Sequence, residues 1–304
     1  MKTVLIMGGT AFVGESVAKH MIELGYTVDI FTRGIREVKY SGVREHLKGD
    51  RQSISEVSQL LKDRQYDYVL DISAYQPKDI EPLYQALDKS QLKRYLFIST
   101  GGVYVHSDEV IDEKAPQVND LTAGAYCYNK KCCEDLILEY GRQGDFPYTI
   151  LRPTYIYGKG NNQKREGFYF DKILNGETLK IPHGQNHQVN FIYIDDLVRL
   201  IHSAMTLSKS ICQAYNATMI EPVTWKQYVV ALRLATEQSL EVDYVSYERI
   251  QSGEKFYFPF YDEHYELSMI KSMEDGMFQP QIDIQTGLKM SYHWYCENQH
   301  KMEL

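Results

Sequence analysis

Apolar positions along the chain alternate between two rhythms. Thr3-Val4-Leu5-Ile6-Met7 is an unbroken run of strand formers, as expected of a central strand buried on both faces. After Gly14 the apolar residues switch to helical spacing at Val17, Met21 and Leu24, with Val13 one turn earlier and Gly25 as the stop. Tyr26-Thr27-Val28-Asp29-Ile30-Phe31 returns to the strand pattern and completes a βαβ unit. Strand-like runs recur at Asp67 to Ile72, Arg94 to Ser99 and Tyr148 to Arg152, each separated by a helix-length segment. Such alternation predicts an α/β fold built on a doubly wound parallel sheet. Asn190 to Ile194 reads as a later strand running into Asp195, the expected N-cap of a helix through Met205. The stretches 156–188 and 215–304 lack the rhythm and hold Pro182, Pro222, Pro259 and Pro280. They predict a smaller, discontinuous substrate domain beside a main domain of residues 1–155 and 189–214.

Between the first strand and first helix lies Gly8-Gly9-Thr10-Ala11-Phe12-Val13-Gly14. Small residues at a strand-to-helix turn let backbone N–H groups and the helix N-terminus approach a pyrophosphate, so this position predicts dinucleotide binding. At the end of the second strand, where an acid would hold a ribose 2′-hydroxyl, the chain has Thr32-Arg33-Gly34, with Arg36 nearby. An acid there would repel a 2′-phosphate, whereas arginines can pair with one, so NADP(H) is the expected cofactor and NAD(H) the alternative. Asp29 lies within the strand, poorly placed for the ribose.

Tyr126 and Lys130 are four apart and share one face if helical. Spacing alone is weak support, because 25 tyrosines make about two such pairs expected by chance. The other pair, Tyr155 and Lys159, spans Gly158, a poor helix. Tyr126, by contrast, opens a segment with an apolar stripe at Cys133, Leu136, Ile137 and Tyr140, and Glu134 lies one turn beyond Lys130. It also follows Ser99-Thr100-Gly101-Gly102-Val103-Tyr104, the end of a strand where a doubly wound sheet places its ligand crevice. An ammonium beside a phenol favours the phenolate, and Thr100 can hold the reacting oxygen, so Thr100, Tyr126 and Lys130 are the candidate catalytic residues.

Composition narrows the classes without changing that picture. The chain has 304 residues, 43% hydrophobic and 24% charged, with a formal charge of −8. This is ordinary globular composition, with no basic run to attract nucleic acid or an anionic membrane surface. No apolar stretch approaches the roughly 20 residues of a membrane helix, and the opening run is short for a signal-peptide core. The expected location is the cytoplasm. Five cysteines without a Cys-x-x-Cys pair predict reduced thiols and no metal site.

Taken together, the glycine turn, Ser99-Thr100 ahead of Val103-Tyr104, Tyr126 to Lys130 with Glu134, Leu151-Arg152-Pro153 with Tyr157-Gly158, and Phe191-Ile192-Tyr193-Ile194-Asp195-Asp196-Leu197 resemble the extended short-chain dehydrogenase/reductase superfamily, the NAD-dependent epimerase/dehydratase group. The resemblance implies a Rossmann domain, a nicotinamide cofactor, Tyr126 as acid/base, Lys130 on the nicotinamide ribose, Thr100 bonding the substrate oxygen, and a homodimer. The expected cofactor-binding positions are Gly8, Gly9, Thr10, Ala11, Phe12, Val13, Gly14, Thr32, Arg33, Arg36, Asp50, Ser99, Lys130 and Pro153.

Three departures bear on the substrate. Ala11 replaces the middle glycine of the turn, as in the looser motifs of the atypical branch that includes chloroplast stem-loop-binding proteins. Gly101-Gly102 stand where dehydratases of sugar nucleotides carry Asp-Glu, which argues against that elimination chemistry. Val189-Asn190 stand where epimerases commonly place an arginine for the substrate's diphosphate. Asp195-Asp196 is read as structural. The expectation is an NAD(P)-dependent oxidoreductase or epimerase acting on a hydroxyl or carbonyl of a small molecule, in the range of sugars and sugar nucleotides. The alternative is a catalytically inactive cofactor-binding protein with a regulatory or RNA-associated role. Lys164, Arg165, His183, His187 and the run Phe256 to Tyr261 are candidates to line the substrate pocket.

Overall fold

The computed structural model describes residues 2–144, 146–163, 165–183 and 186–298. Its strands are β1 (Thr3–Met7), β2 (Thr27–Thr32), β3 (Val43–Lys48), β4 (Tyr68–Asp71), β5 (Arg94–Ile98), β6 (Tyr148–Pro153), β7 (Tyr155–Tyr157), β8 (Leu179–His183), β9 (Phe191–Tyr193), β10 (Gln213–Ala217) and β11 (Val242–Ser246). The helices are α1 (Phe12–Glu23), α2 (Ile54–Leu61), α3 (Glu81–Ala86), α4 (Ala125–Gln143), α5 (Glu166–Leu174), α6 (Ile194–Thr206), α7 (Trp225–Thr236), α8 (Tyr247–Gln251), α9 (Ile270–Glu274) and α10 (Ile284–Asn298).

Seven strands form one parallel sheet in the order β10-β6-β5-β4-β1-β2-β3. Its central strands are apolar on both faces because helices cover both: Leu5, Met7, Val69 and Phe97 pack into one core cluster, and Val4, Ile6, Leu70 and Leu96 into the other. Strand order reverses between β1 and β4, so a crevice opens beyond their carboxyl ends, the ligand position of a doubly wound sheet. Gly8 follows β1 and Ser73 follows β4, and a Cβ added at Gly8 would lie 3.6 Å from Ser73 Cβ across that crevice. The loop after β4 is fixed from below. Arg51 donates to Asp71 at 2.6 and 3.1 Å and to Ser73 Oγ at 2.8 Å, and Tyr95 donates to Asp71 at 2.7 Å.

The alternating core follows the sequence pattern, with three differences. β10 lies at the edge of the main sheet, so that sheet runs to Ala217, past the boundary expected at 214. The run at 190–194 shortens to β9 and pairs with β7 outside the main sheet. Tyr193, not Asp195, is the N-cap of α6. Asp195 lies within the first turn, where a carboxylate still complements the helix dipole. Asp196 is buried and accepts from the backbone N–H of Gln281 at 2.8 Å and Ile282 at 2.7 Å, so it fastens the chain leading into α10. Outside the main sheet, β8 pairs with β11, and an aromatic cluster of Phe191, Trp225, Tyr228 and Phe260 packs beside them.

Candidate active site

The glycine turn leaves β1 with Gly8 and Gly9 at φ +117° and +110°, backbone that side chains rarely adopt. Gly14 serves a different end: a Cβ there would stand 2.5 Å from the Gly9 nitrogen, so its absence lets α1 close onto the turn. Ala11 sits in extended backbone at φ −157°, where an alanine is no more strained than a glycine. Among the described residues no side chain caps α1, which leaves the N–H groups of its first turn without a side-chain acceptor. Tyr40 donates to Gly9 O at 2.6 Å and steadies the turn. A turn with glycine at 8, 9 and 14 leading into the N-terminus of a helix fits the pyrophosphate of a dinucleotide.

Beyond β2, Arg33 and Arg36 are exposed, and neither has an ion pair among the described residues. Thr32 is engaged by its own surroundings, its hydroxyl 2.7 Å from His46 Nε2 and accepting from the Gly34 N–H at 3.0 Å. Asp29 is buried and receives Arg44 Nε at 2.8 Å and the Tyr66 hydroxyl at 2.7 Å, so it faces no ligand. Asp50 is exposed at the end of β3 and accepts from the Gln52 N–H at 2.9 Å. Pro153 ends β6 and is buried.

On the other side of the crevice, Ser99 and Thr100 follow β5. The Ser99 hydroxyl is buried without a hydrogen-bond partner among the described residues, a group that a bound molecule would satisfy. Thr100 accepts from the Gly102 N–H at 3.1 Å and lies within side-chain reach of Tyr126. Tyr126 is in the first turn of α4, the residue as a whole 48% exposed and its ring 5.9 Å from that of Tyr75. Lys130, one turn on, is buried, donates to Ile98 O at 2.7 Å and stands over the rings of Phe97 at 4.7 Å and Tyr75 at 5.3 Å.

The titration of this pair departs from the expectation of a phenol lowered by its lysine. Burial of the phenol end, reinforced by Tyr75 and Cys127, pushes Tyr126 up to about 12, against the opposing pulls of Thr100 and Arg165. Burial brings Lys130 down to about 8, although Asp71 attracts its charge. Lys130 is committed to a carbonyl and two ring faces, so desolvation decides the direction for both groups. Burial thus favours the protonated phenol, whereas the positive ring of an oxidised nicotinamide beside it would favour the phenolate that takes a proton.

Helix α4 is anchored one turn beyond Lys130. Glu134 is fully buried and accepts from Arg152 Nη2 at 2.6 Å and Nε at 3.1 and 3.2 Å, and from Gln117 at 3.1 Å. Arg152 also donates to the Tyr104 hydroxyl at 2.7 Å, which donates to Asn216 at 2.7 Å.

Of the pocket candidates in the second domain, Arg165 reaches the site. Its guanidinium lies 4.9 Å over the Tyr155 ring and acts on the charge of Tyr126. His187 instead pairs with Asp262 at 3.3 Å. In the aromatic run, Phe258 and Phe260 pack on Trp225, while Tyr257 and Tyr261 are exposed. Lys164 and the side chain of His183 lie outside the described residues. Two residues that sequence reasoning passed over, Tyr75 and Tyr265, flank Tyr126. Each belongs to a loop and carries no local pattern that separates it from the other tyrosines.

A model of the family described as "NAD dependent epimerase/dehydratase family" matches residues 4–217, most of the chain, with the glycine turn, Thr100, Tyr126 and Lys130 among them. The chain belongs to this family. Its members among the relatives and solved neighbours are NAD-dependent epimerases and dehydratases, and the chain is placed among these enzymes. Similar proteins include the chloroplast stem-loop binding protein of 41 kDa b of Arabidopsis thaliana, 26% identical over 96% of this chain and 79% of the relative. A putative UDP-glucose 4-epimerase of Methanocaldococcus jannaschii is 25% identical over 97% and 99%. Among solved structures, a UDP-glucose 4-epimerase of Thermotoga maritima with UDP-glucose aligns at TM-score 0.80 and 18% identity over 98% and 99% of the two chains. A dTDP-glucose 4,6-dehydratase of Bacillus anthracis in complex with NAD aligns at TM-score 0.80 and 16% identity over 99% and 98%. These likenesses establish the Rossmann fold for the seven-stranded sheet. Among the described residues, no helix is long and apolar enough to cross a membrane.

Proposed function

We propose that this protein is an NAD(P)-dependent oxidoreductase or epimerase that acts at a carbinol or carbonyl of a small molecule, with hexose nucleotides the substrate class to try first. The observation that carries the reading is the meeting of Tyr126 and Thr100 at the mouth of the crevice whose other wall is the glycine turn. The nicotinamide supplies a hydride acceptor or donor when bound. Tyr126 exchanges the hydroxyl proton of the substrate, Thr100 holds the oxygen to which that proton belongs, and Lys130 fixes the cofactor ribose. NADP(H) is favoured over NAD(H) because Arg33 and Arg36 are exposed beyond the end of β2, where a 2′-phosphate would lie, and have no ion pair among the described residues. The Thermotoga maritima epimerase was solved with UDP-glucose and the Bacillus anthracis dehydratase with NAD, which supports a nicotinamide dinucleotide and a nucleotide-linked hexose in this crevice.

Incubation with UDP-, dTDP- and GDP-hexoses and either cofactor, followed by product chromatography and cofactor absorbance, tests the reading. A product without net cofactor change makes the protein an epimerase, and a product with stoichiometric change makes it an oxidoreductase. Tyr126→Phe is expected to retain cofactor and lose turnover; undiminished turnover in that variant refutes the mechanism.

A second reading, a cofactor-binding protein that associates with RNA, is favoured by the likeness to the Arabidopsis chloroplast stem-loop binding protein. The charge of −8 opposes it, since contacts with phosphates draw on clustered cations. Failure to bind a stem-loop RNA at low salt removes it.

A further inference from the structure

Beside Thr100 the backbone is Gly101-Gly102, and the space that side chains would occupy there is already filled. A Cβ on Gly101 would stand 2.3 Å from the Tyr265 hydroxyl oxygen and 2.7 Å from Leu267 Cδ1; one on Gly102 would stand 2.7 Å from Cys127 Sγ. A phenol reaching in from a distant loop thus occupies the position next to Thr100. Its backbone is held on both sides: Tyr265 N–H donates to Gln188 O at 2.8 Å, and Asn190 N–H donates to Tyr265 O at 3.0 Å. Its ring packs edge-on against Tyr155 at 5.4 Å. Yet its hydroxyl has no hydrogen-bond partner among the described residues. The hydroxyl thus lies against Gly101, the residue that follows Thr100.

A fixed, half-buried phenol with an idle hydroxyl beside the reacting-oxygen holder has the properties of a ligand contact. We infer that Tyr265 is a specificity-determining residue whose hydroxyl donates a hydrogen bond to the substrate oxygen on the carbon next to the one that is oxidised or reduced. The substrate class is then a vicinal diol or hydroxy-ketone. For a hexose nucleotide reacting at C4, the oxygen read is that on C3. Burial pushes this phenol well up, so it remains a donor through the whole working pH range and does not compete with Tyr126 for the proton. The inference rests on the proposed function and adds the substrate's second point of recognition.

The test pairs Tyr265→Phe, which keeps the ring packed on Tyr155, with a substrate lacking the neighbouring hydroxyl. UDP-glucose and UDP-galactose are compared with their 3-deoxy analogues, and thermal stability and cofactor binding of the variant are measured alongside. The expected result is a loss of about 10- to 100-fold in kcat/KM for Tyr265→Phe on the parent sugars, a similar loss for wild type on the 3-deoxy analogues, and no further loss when both changes are combined. Tyr265→Phe within twofold of wild type on the parent sugars overturns the inference. So does an impaired variant that still rejects the 3-deoxy analogues by the full wild-type factor, because the phenol is then only packing. Either result, with Tyr126→Phe inactive, leaves the proposed function standing. Undiminished activity in Tyr126→Phe, or no turnover of any hexose nucleotide by wild type, removes that function and this inference with it.

Discussion

Replacement of Glu134 by Gln would isolate what holds the helix of Tyr126 and Lys130 in place. Glu134 is fully buried and takes three contacts from Arg152 at 2.6 to 3.2 Å, with Gln117 as a fourth donor. The amide is isosteric but neutral, and it turns one acceptor toward a guanidinium as a donor. Arg152, itself buried, keeps neutral acceptors, the remaining amide oxygen, the Tyr104 hydroxyl and the Glu113 carbonyl, but loses its carboxylate. Leaving a buried charge without its counter-ion costs about 3–5 kcal/mol. With an unfolding entropy near 2.1 cal/mol/K per residue, a chain of this length loses roughly 5–8 °C in Tm. Calorimetry of Glu134→Gln and Arg152→Met reads the cost of each half. The double variant is expected to recover part of it, because both charges are then gone. Cofactor affinity of Glu134→Gln should fall as well, since Lys130 lies one turn away on the same helix. A Tm within 1 °C of wild type would refute the assignment of α4's position to this pair.

Other consequences follow from the crevice. Gly14→Ala drives a methyl to 2.5 Å from a backbone nitrogen, so the turn must open, and loss of dinucleotide binding in a fluorescence titration is expected with the fold retained. Arg33→Ala should weaken NADP(H) by about 10- to 100-fold and leave NAD(H) within twofold in the same titration, as removal of a charge-assisted phosphate contact would. The cation of Lys130 is present below about pH 8 and lost above it. The dissociation constant of the cofactor is therefore expected to be flat below that pH and to rise beyond it, and Lys130→Met should bind weakly without the pH dependence.

Legibility of the fold tracked burial. β1, β4, β5 and β6 read directly from the sequence because helices cover both faces and only apolar strand formers suit such positions. β3 is Val-Arg-Glu-His-Leu-Lys and β10 is Gln-Ala-Tyr-Asn-Ala; both lie at sheet edges, where half of each strand meets solvent or polar neighbours and no apolar run survives. The glycine turn, Thr100, Tyr126 and Lys130 are local motifs, so spacing along the chain could find them. Asp71, Arg51, Tyr75 and Tyr265 come together only through tertiary contacts, and Tyr265 lies 139 residues from Tyr126. The direction of the Tyr126 shift was hidden for the same reason. It depends on how deeply the phenol end is enclosed and on which atoms already hold Lys130, and neither is written in a spacing of four.

The central claim, that Tyr126 moves the substrate proton while hydride passes to or from the nicotinamide of a dinucleotide whose pyrophosphate the glycine turn holds, is tested most directly by single-turnover absorbance at about 340 nm, the reduced-nicotinamide band. Protein loaded with oxidised cofactor is mixed with the hexose nucleotides, wild type beside Tyr126→Phe. The account predicts a transient or lasting rise in wild type and none in the variant, although both bind cofactor equally. A rise of the same size and rate in Tyr126→Phe would contradict it.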